Sequence, residues 1–326
     1  MSKEELKEKL LTLISKEKSL SKVCEELDLN EYEVLSIVSD IEEDNVNISK
    51  RKRDDDIYLI NLGDIEYKDK YTYQVGTDEA NEFKFIAISD TRLGSKSQQL
   101  SILNDIYLKG YEMGYNNVIL CGNISAGIPR AKGEYSEINF LEDTYDQIEY
   151  IVNNFPKVEG MTTYFITGKK DLKHLKNKIS VGKRISDYRE DLIFLGEGSC
   201  DFLIDKVKMQ ILSRKLSKTY TASYRAQQQI DAYRSEDKPD IILYGGMMQM
   251  EKFTYRNVKC ITVPSVCATN KEMNDKRYSN TIGAWYVTVK VNAKGKLDSV
   301  RAFNSPYYVT NKEDYKKAKV LKLGGK

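Results

Sequence analysis

Histidine is nearly missing from this chain: its 326 residues contain one, His174. Chemistry that needs several imidazoles, as metal ligands or proton carriers, is excluded from the start. Cysteine is sparse as well. Cys24, Cys121, Cys200, Cys260 and Cys267 are scattered without a Cys-x-x-Cys pair. That spacing speaks against a thiolate metal site and leaves them as small buried hydrophobes in a reducing cytoplasm. No apolar run approaches the ~20 residues that span a bilayer, and the first residues carry no signal-peptide pattern. The expectation is a soluble, cytoplasmic protein. No internal repeat at solenoid spacing is present.

What is there is enough for a large core: 40% of the residues are hydrophobic, beside 31% charged. The formal charge of +2 is unevenly spread. Residues 1–64 hold 10 Lys/Arg against 17 Asp/Glu, which leaves 41 basic and 32 acidic residues, or +9, for the remainder. Such asymmetry points to a polyanionic partner for the basic part, or to mutual docking of the two halves.

Residues 3–16 place Leu6, Leu10, Leu13 and Ile14 on one helical face. A second short helix is expected from Ser19 to Leu27, and a third after Asn30, where Glu33 completes a capping box. Val34, Ile37, Val38 and Ile41 form the buried stripe of that third helix. The pattern then turns strand-like, with a charged tip expected from Lys50 to Asp56 before Ile57–Ile60. Three helices followed by a basic hairpin resemble a winged helix-turn-helix domain, assigned to residues 1–63. The resemblance implies that Asn30, Tyr32 and Ser36 meet a DNA groove and that Lys50, Arg51, Lys52 and Arg53 meet its backbone. Against this, Glu31, Glu33, Asp40, Glu42, Glu43 and Asp44 on or after the helix repel phosphate, so a purely protein-binding module stays open.

Residues 64–82 read as a polar connector with a strand at Tyr71 to Val75. The body begins at Phe83-Lys-Phe-Ile-Ala-Ile-Ser-Asp90, a strand that stops on a carboxylate and turns into a helix through Gly94 and Ser95. Val118–Asn123, Tyr164–Asp171 and Ile241–Met248 repeat the plan, each strand ending in glycine plus a residue at a shared cleft. Open α/β sheets place their sites at such carboxyl ends. After Phe253 an antiparallel hairpin is expected, through Ala284–Val291 and a turn at Gly295.

The order and spacing of these strand ends resemble the calcineurin-like metallophosphoesterase family, over roughly Phe83 to Phe303. The implied fold class is α/β: a four-layer αββα metallophosphoesterase-like sandwich over residues 83–308, preceded by the small winged-helix domain and followed by a basic tail at 309–326. The family's ligand pattern is not kept. Asp90 stands where the family has its first Asp, but Arg92 replaces a His. Asn123 replaces the metal-bridging Asp, Lys169 the Asn ligand and Lys170 the leaving-group His, followed by a retained Asp171. Ser213 falls at a lone His, and Gly246 and Met248 at the last His pair. A two-metal site needs converging O and N ligands on ions about 3.5–4 Å apart, which glycine, methionine, ammonium and guanidinium cannot supply. The expectation is a pseudoenzyme with no metal and no cofactor.

Two uses of the emptied cleft stay open. Arg92, Lys169, Lys170, Arg214 and Lys215 hold a phosphate by charge-assisted hydrogen bonds, or they pair internally with Asp90 and Asp171. His174, about one helical turn past Asp171, reads as a surface or capping histidine, with a catalytic base as the sharper alternative. The function expected is noncatalytic DNA binding, in replication or transcription control. The Lys-, Asn-, Ile- and Tyr-rich composition suggests a phage or plasmid origin. DNA, a homodimer partner and replication or transcription proteins are the partners expected. A residual phosphodiesterase acting on nucleic acid or nucleotides, or a protein scaffold, are the alternatives.

Overall fold

The computed structural model describes residues 3–15, 18–43, 46–53, 56–64, 71–128, 138–213, 222–234, 237–275, 279–317, 319 and 321–323. The chain divides into two compact units, Met1–Asp69 and Lys70–Lys326.

The first unit runs α1 (Lys3–Leu13), β1 (Lys18–Ser19), α2 (Leu20–Leu27), α3 (Glu31–Glu43), β2 (Val46–Arg53) and β3 (Asp56–Asp64). Its strands form one sheet in the order β1-β3-β2. Leu10, Ile14, Leu20, Val23, Val34, Val38, Ile41 and Leu59 are packed together with almost no exposure. The stripe read from α3 is therefore the face that holds the unit together. Asp28 takes a left-handed conformation (φ 55) and closes α2. The capping box is formed in both directions: the Glu33 N–H donates to Asn30 Oδ1 (3.0 Å) and the Asn30 N–H to Glu33 Oε2 (2.9 Å). One expectation is corrected. Lys50–Arg53 lie within β2, opposite Leu59, Tyr58, Ile57 and Asp56, rather than in the turn. The β-favouring run Ile57-Tyr-Leu-Ile offers the basic residues a strand to pair with, so β2 extends through Arg53; residues 54–55 lie outside the described residues.

The second unit opens with β4 (Thr72–Val75), β5 (Glu82–Ile88), α4 (Leu100–Glu112), β6 (Asn117–Cys121) and α5 (Thr144–Asn154). There follow β7 (Lys157–Val158), β8 (Thr162–Thr167), α6 (Val181–Tyr188), β9 (Leu192–Glu197), β10 (Ser199–Ile204) and β11 (Val207–Ser213). Then come α7 (Ala222–Asp231), β12 (Ile241–Gly245), β13 (Glu251–Tyr255), β14 (Val258–Thr262) and α8 (Lys271–Asp275). The chain ends with β15 (Gly283–Val291), β16 (Leu297–Pro306), α9 (Asp314–Lys317) and β17 (Lys322–Leu323).

Two six-stranded sheets result, β16-β15-β5-β6-β8-β9 and β13-β14-β12-β11-β10-β4. Strands β5, β6, β8 and β9 are parallel, whereas β15 runs antiparallel to β5 and β16. Successive side chains of a strand face opposite ways, and this builds the layers. Phe85 and Ala87 join Ile119, Ile166, Phe202, Ile211 and Leu243 in one core, where residues of both sheets meet. Ile86 and Ile88 instead join Leu103, Ile106, Ile148 and Ile185 of the helices α4, α5 and α6. On the second sheet, Leu212, Ile242 and Tyr244 pack under Ala226 and Ile230 of α7. Helices, sheet, sheet, helix is the four-layer α/β order expected. The connector's strand exists as β4, paired parallel to β10 at the edge of the second sheet.

The basic tail is anchored to the body. Asp314 is buried and caps α4, accepting from the Ser101 N–H and hydroxyl. Gln99 and Asn104 each clamp the tail's backbone through both ends of their amides, Gln99 at Asn311 and Asn104 at Lys319 and Leu321. Strand β17 then pairs with β7. Lysine-rich composition hid this anchoring because the partners are backbone atoms and a single aspartate.

Candidate functional site

The carboxyl ends of β5, β6, β8, β11 and β12 gather the body's candidate residues. Beyond its end, each strand-end loop continues beside its neighbour: the N–H groups of Asp90, Arg92 and Leu93 donate to the carbonyls of Gly122, Asn123 and Ile124. Asp90 (φ 53), Arg92 (φ 45), Asn123 (φ 57) and Met248 (φ 59) are all in the left-handed region. That region is uncommon for residues other than glycine, and such outliers concentrate at functional sites.

Three glycines let the strand ends touch. A Cβ on Gly245 would stand 1.8 Å from the Cys121 carbonyl oxygen, one on Gly122 2.2 Å from Ser213 Oγ, and one on Gly168 2.5 Å from Asn123 Oδ1. On the sequence these glycines read as turning residues beside an open cleft. What they admit is protein: Ser213 and Asn123 fill the floor.

Asp90 is wholly buried and bonded at both oxygens. Arg92 donates to its Oδ1 from Nε at 3.0 Å and Nη2 at 2.8 Å, and Asn123 Nδ2 donates to the same oxygen at 2.9 Å. Ser89 Oγ donates to Oδ2 at 2.8 Å. Three donor atoms thus converge on Oδ1 and one on Oδ2, so the carboxylate is neutralised and held by its own neighbours. Asn123 is spent too, because its Oδ1 accepts the Lys170 N–H at 2.8 Å. Gly246 contributes only a backbone N–H, to Ser89 Oγ, and Met248 a thioether. This donor set does not fit a pair of metal ions. Among the described residues, no three His, Cys, Asp or Glu side chains converge as metal ligands.

Of the five cations, the three described ones differ in setting. Arg92 is buried against Asp90, Lys169 is exposed, and Lys170 is half-buried. Arg214 and Lys215 lie outside the described residues. Asp171 is satisfied mainly by backbone. Its carboxylate accepts from the N–H groups of Gly168 (2.8 Å), Ile124 (3.2 Å) and Ser125 (2.8 Å), and from Ser125 Oγ (2.6 Å). Complete burial outweighs those bonds and pushes its carboxyl up to about 6.

The surface reading of His174 is corrected, since the ring has no exposure. Its Nε2 lies 3.1 Å from Ser125 Oγ and its Nδ1 2.9 Å from Thr144 Oγ1. Because Ser125 gives its proton to Asp171, the consistent assignment has Nε2–H donating to Ser125 and Thr144 donating to Nδ1. Burial drives the imidazole down to about 4, against the opposing charge of Asp143, so the ring is neutral at pH 7. Sequence reasoning missed Ser125 and Thr144. Ser125 follows Asn123 by two residues in the same loop, a signal of sorts; Thr144 carries none, since only packing brings α5 to this ring.

In the first unit, Tyr32 is 87% exposed and Ser36 lies one turn further along α3. Asn30 is held at the helix start by its cap, with Lys50–Arg53 along β2.

No family profile matches the sequence, and no curated protein does. Among solved structures the body is similar to an archaeal phosphodiesterase, with 12% identity, 68% of this chain and 99% of that one covered, and a TM-score of 0.38. It is also similar to Vps29 complexed with Zn2+ from Entamoeba histolytica (11%, 68% and 98%, TM-score 0.34). A third is a 5'-nucleotidase precursor from Thermus thermophilus (8%, 68% and 54%, TM-score 0.34). Likenesses of this size leave the chemistry of the strand ends to the chain's own residues. Its layers are those of a four-layer α/β sandwich.

Proposed function

We propose that this protein is a noncatalytic DNA-binding factor: a winged helix-turn-helix unit joined to a phosphoesterase-like body that has exchanged metal chemistry for internal pairing. The observation that carries the noncatalytic half is Arg92 bound to Asp90, which spends the carboxylate that the family's first metal would need. In this reading the described strand-end side chains hold no metal to activate a water, and the body acts as a scaffold. A role for Lys169 and Lys170 in phosphate binding is secondary here, because Arg92, the cation between the strand ends, is already committed to Asp90.

The DNA half is supported by the element order α1-β1-α2-α3-β2-β3 with the sheet order β1-β3-β2, that of a winged helix. In this reading Asn30, Tyr32 and Ser36 face the groove, with Lys50, Arg51, Lys52 and Arg53 along the phosphates. Glu33 is tied to the cap, which reduces the acidic face of α3. The process served is replication or transcription control, of a phage or plasmid.

The test is a salt-titrated binding curve of the full chain on A·T-rich duplex. Affinity should fall steeply with salt. Changing Lys50, Arg51, Lys52 and Arg53 to glutamine should lower the slope by about 0.9 for each phosphate that is no longer neutralised. No binding at low salt would favour a protein scaffold. Mn2+-dependent hydrolysis of a generic phosphodiester, abolished by Asp90→Asn, would establish the residual phosphodiesterase instead.

A further inference from the structure

The last residues of the body carry more positive charge than the fold uses. Residues 309–326 hold six lysines against two acids, Glu313 and Asp314. Both acids are engaged locally. Asp314 is buried in the cap of α4, and Glu313 pairs with Lys316 at 2.7 Å. Lys316 first, and Lys317 after it, hold the Glu313 carboxyl below its ordinary value. Lys312, Lys319 and Lys322 are exposed and make no ion pair with a described residue.

Lysines on a loose terminus are ordinary solvated charges, but the backbone beneath these is fixed. Gln99 and Asn104 clamp it, and Tyr315 stacks on Phe140 at 4.9 Å. Leu321 and Leu323 pack against the core, so the alternation of an extended chain turns Lys322 outward. In the parallel pairing of β17 with β7, Lys322 stands opposite Lys157, which is exposed as well. Neighbouring strands lie about 4.8 Å apart, and like charges directly opposite each other are destabilising. Glu159 stands on the same face of β7, yet it makes no ion pair among the described residues. The repulsion between the two ammonium groups is left for an anion from outside to relieve.

We propose that this strap, Lys312 to Lys322 with Lys157 beside it, binds the phosphodiester backbone of DNA. The lysines neutralise phosphates, and because their backbone is already held, binding orders only side chains. Leu321 and Leu323 are turned to the core, whereas a bilayer would need apolar side chains facing out. The inference rests on the DNA-binding reading for the nature of its polyanion. Its residues lie outside the winged unit, so the two can fail separately.

Salt-titrated binding of the full chain to A·T-rich duplex tests it. Changing Lys157, Lys312, Lys319 and Lys322 to glutamine should lower the salt slope by about 3.6, at about 0.9 for each phosphate. The melting temperature should not move, because no anchor is touched. A control removes the same charge from Lys206, Lys290, Lys294 and Lys296, exposed around the β10–β11 and β15–β16 turns. It should leave the slope within about one of wild type. A slope lowered by the Lys50–Arg53 variant but kept by the strap variant overturns the strap and leaves the winged unit to bind DNA. A slope lowered by the strap variant alone keeps the strap and removes the winged unit. Equal losses in strap variant and control would mean diffuse charge and overturn the proposal, as would the absence of duplex binding. Cosedimentation with phosphatidylserine vesicles, lost in the strap variant while its DNA binding is kept, would assign the strap to a lipid surface instead.

Discussion

At the scale of single residues, the strand ends show how a carboxylate survives burial without a metal. Arg92 is its counter-ion, and removing one partner of a buried pair strands the other. Arg92→Ala should cost about 3–5 kcal/mol, measured by urea unfolding. Isothermal titration with Mn2+ should still detect no tight site in that variant, because Asn123, Gly246 and Met248 offer no replacement ligands. Mn2+ binding on removal of Arg92 would mean that the cation alone had kept a working site closed.

The Asp171–Ser125–His174 chain makes a second prediction at this scale, with opposing signs. Asp171 has a folded value of about 6 against an ordinary 3.8, so between those limits the folded state binds more protons and stability falls as pH rises. His174 has a folded value of about 4 against 6.5, so the unfolded state binds more protons there and stability falls as pH drops. Each effect is about 3 kcal/mol, and between pH 4 and 6 they nearly cancel. In His174→Gln, relative to wild type, stability should rise on acidification through that window. In Asp171→Asn it should fall. Parallel melting curves for all three proteins would show the ring and the carboxyl to be charged differently from this account.

At the scale of elements, α3 rests on a cap and a stripe that were both plain in the sequence. Asn30 and Glu33 stand three apart, and Val34, Ile37, Val38 and Ile41 repeat at helical spacing. Local rules decide such features, so local reading finds them. Asn30→Ala should remove about 1 kcal/mol and speed amide exchange in the first turn of α3, while leaving the body's melting unchanged. The strand ends were legible for the same reason: glycine follows the apolar runs of β6, β8 and β12. Their roles were not. Whether Gly122 borders an open cleft or admits Ser213 depends on β11, far away in sequence. His174 looked superficial because its neighbours Lys173 and Lys176 are charged, yet Ser125 and Thr144 supply the polar partners that let the ring be buried.

At the scale of the whole molecule, the body is closed by its last residues. Asp314 caps α4 through Ser101, a link spanning 213 positions, and no periodicity announces it. Asp314→Ala should cost about 1–2 kcal/mol through loss of the cap. Truncation after residue 310 should cost about 1 kcal/mol more for each amide clamp removed, both read as a lower melting temperature. An unchanged melting temperature after truncation would mean that the tail merely lies on the surface.

That anchoring also sets an order of events during synthesis. Strand β5 emerges early, but its partner β15 (Gly283–Val291) pairs with it only after some two hundred further residues have been made. The α4 cap arrives later still. A nascent chain therefore carries β5 with one edge bare until residues 283–291 have been made, and α4 uncapped until Asp314 has. Exposed strand edges invite the wrong partners, so a ribosome paused shortly before residue 283 would hold the chain at its most aggregation-prone.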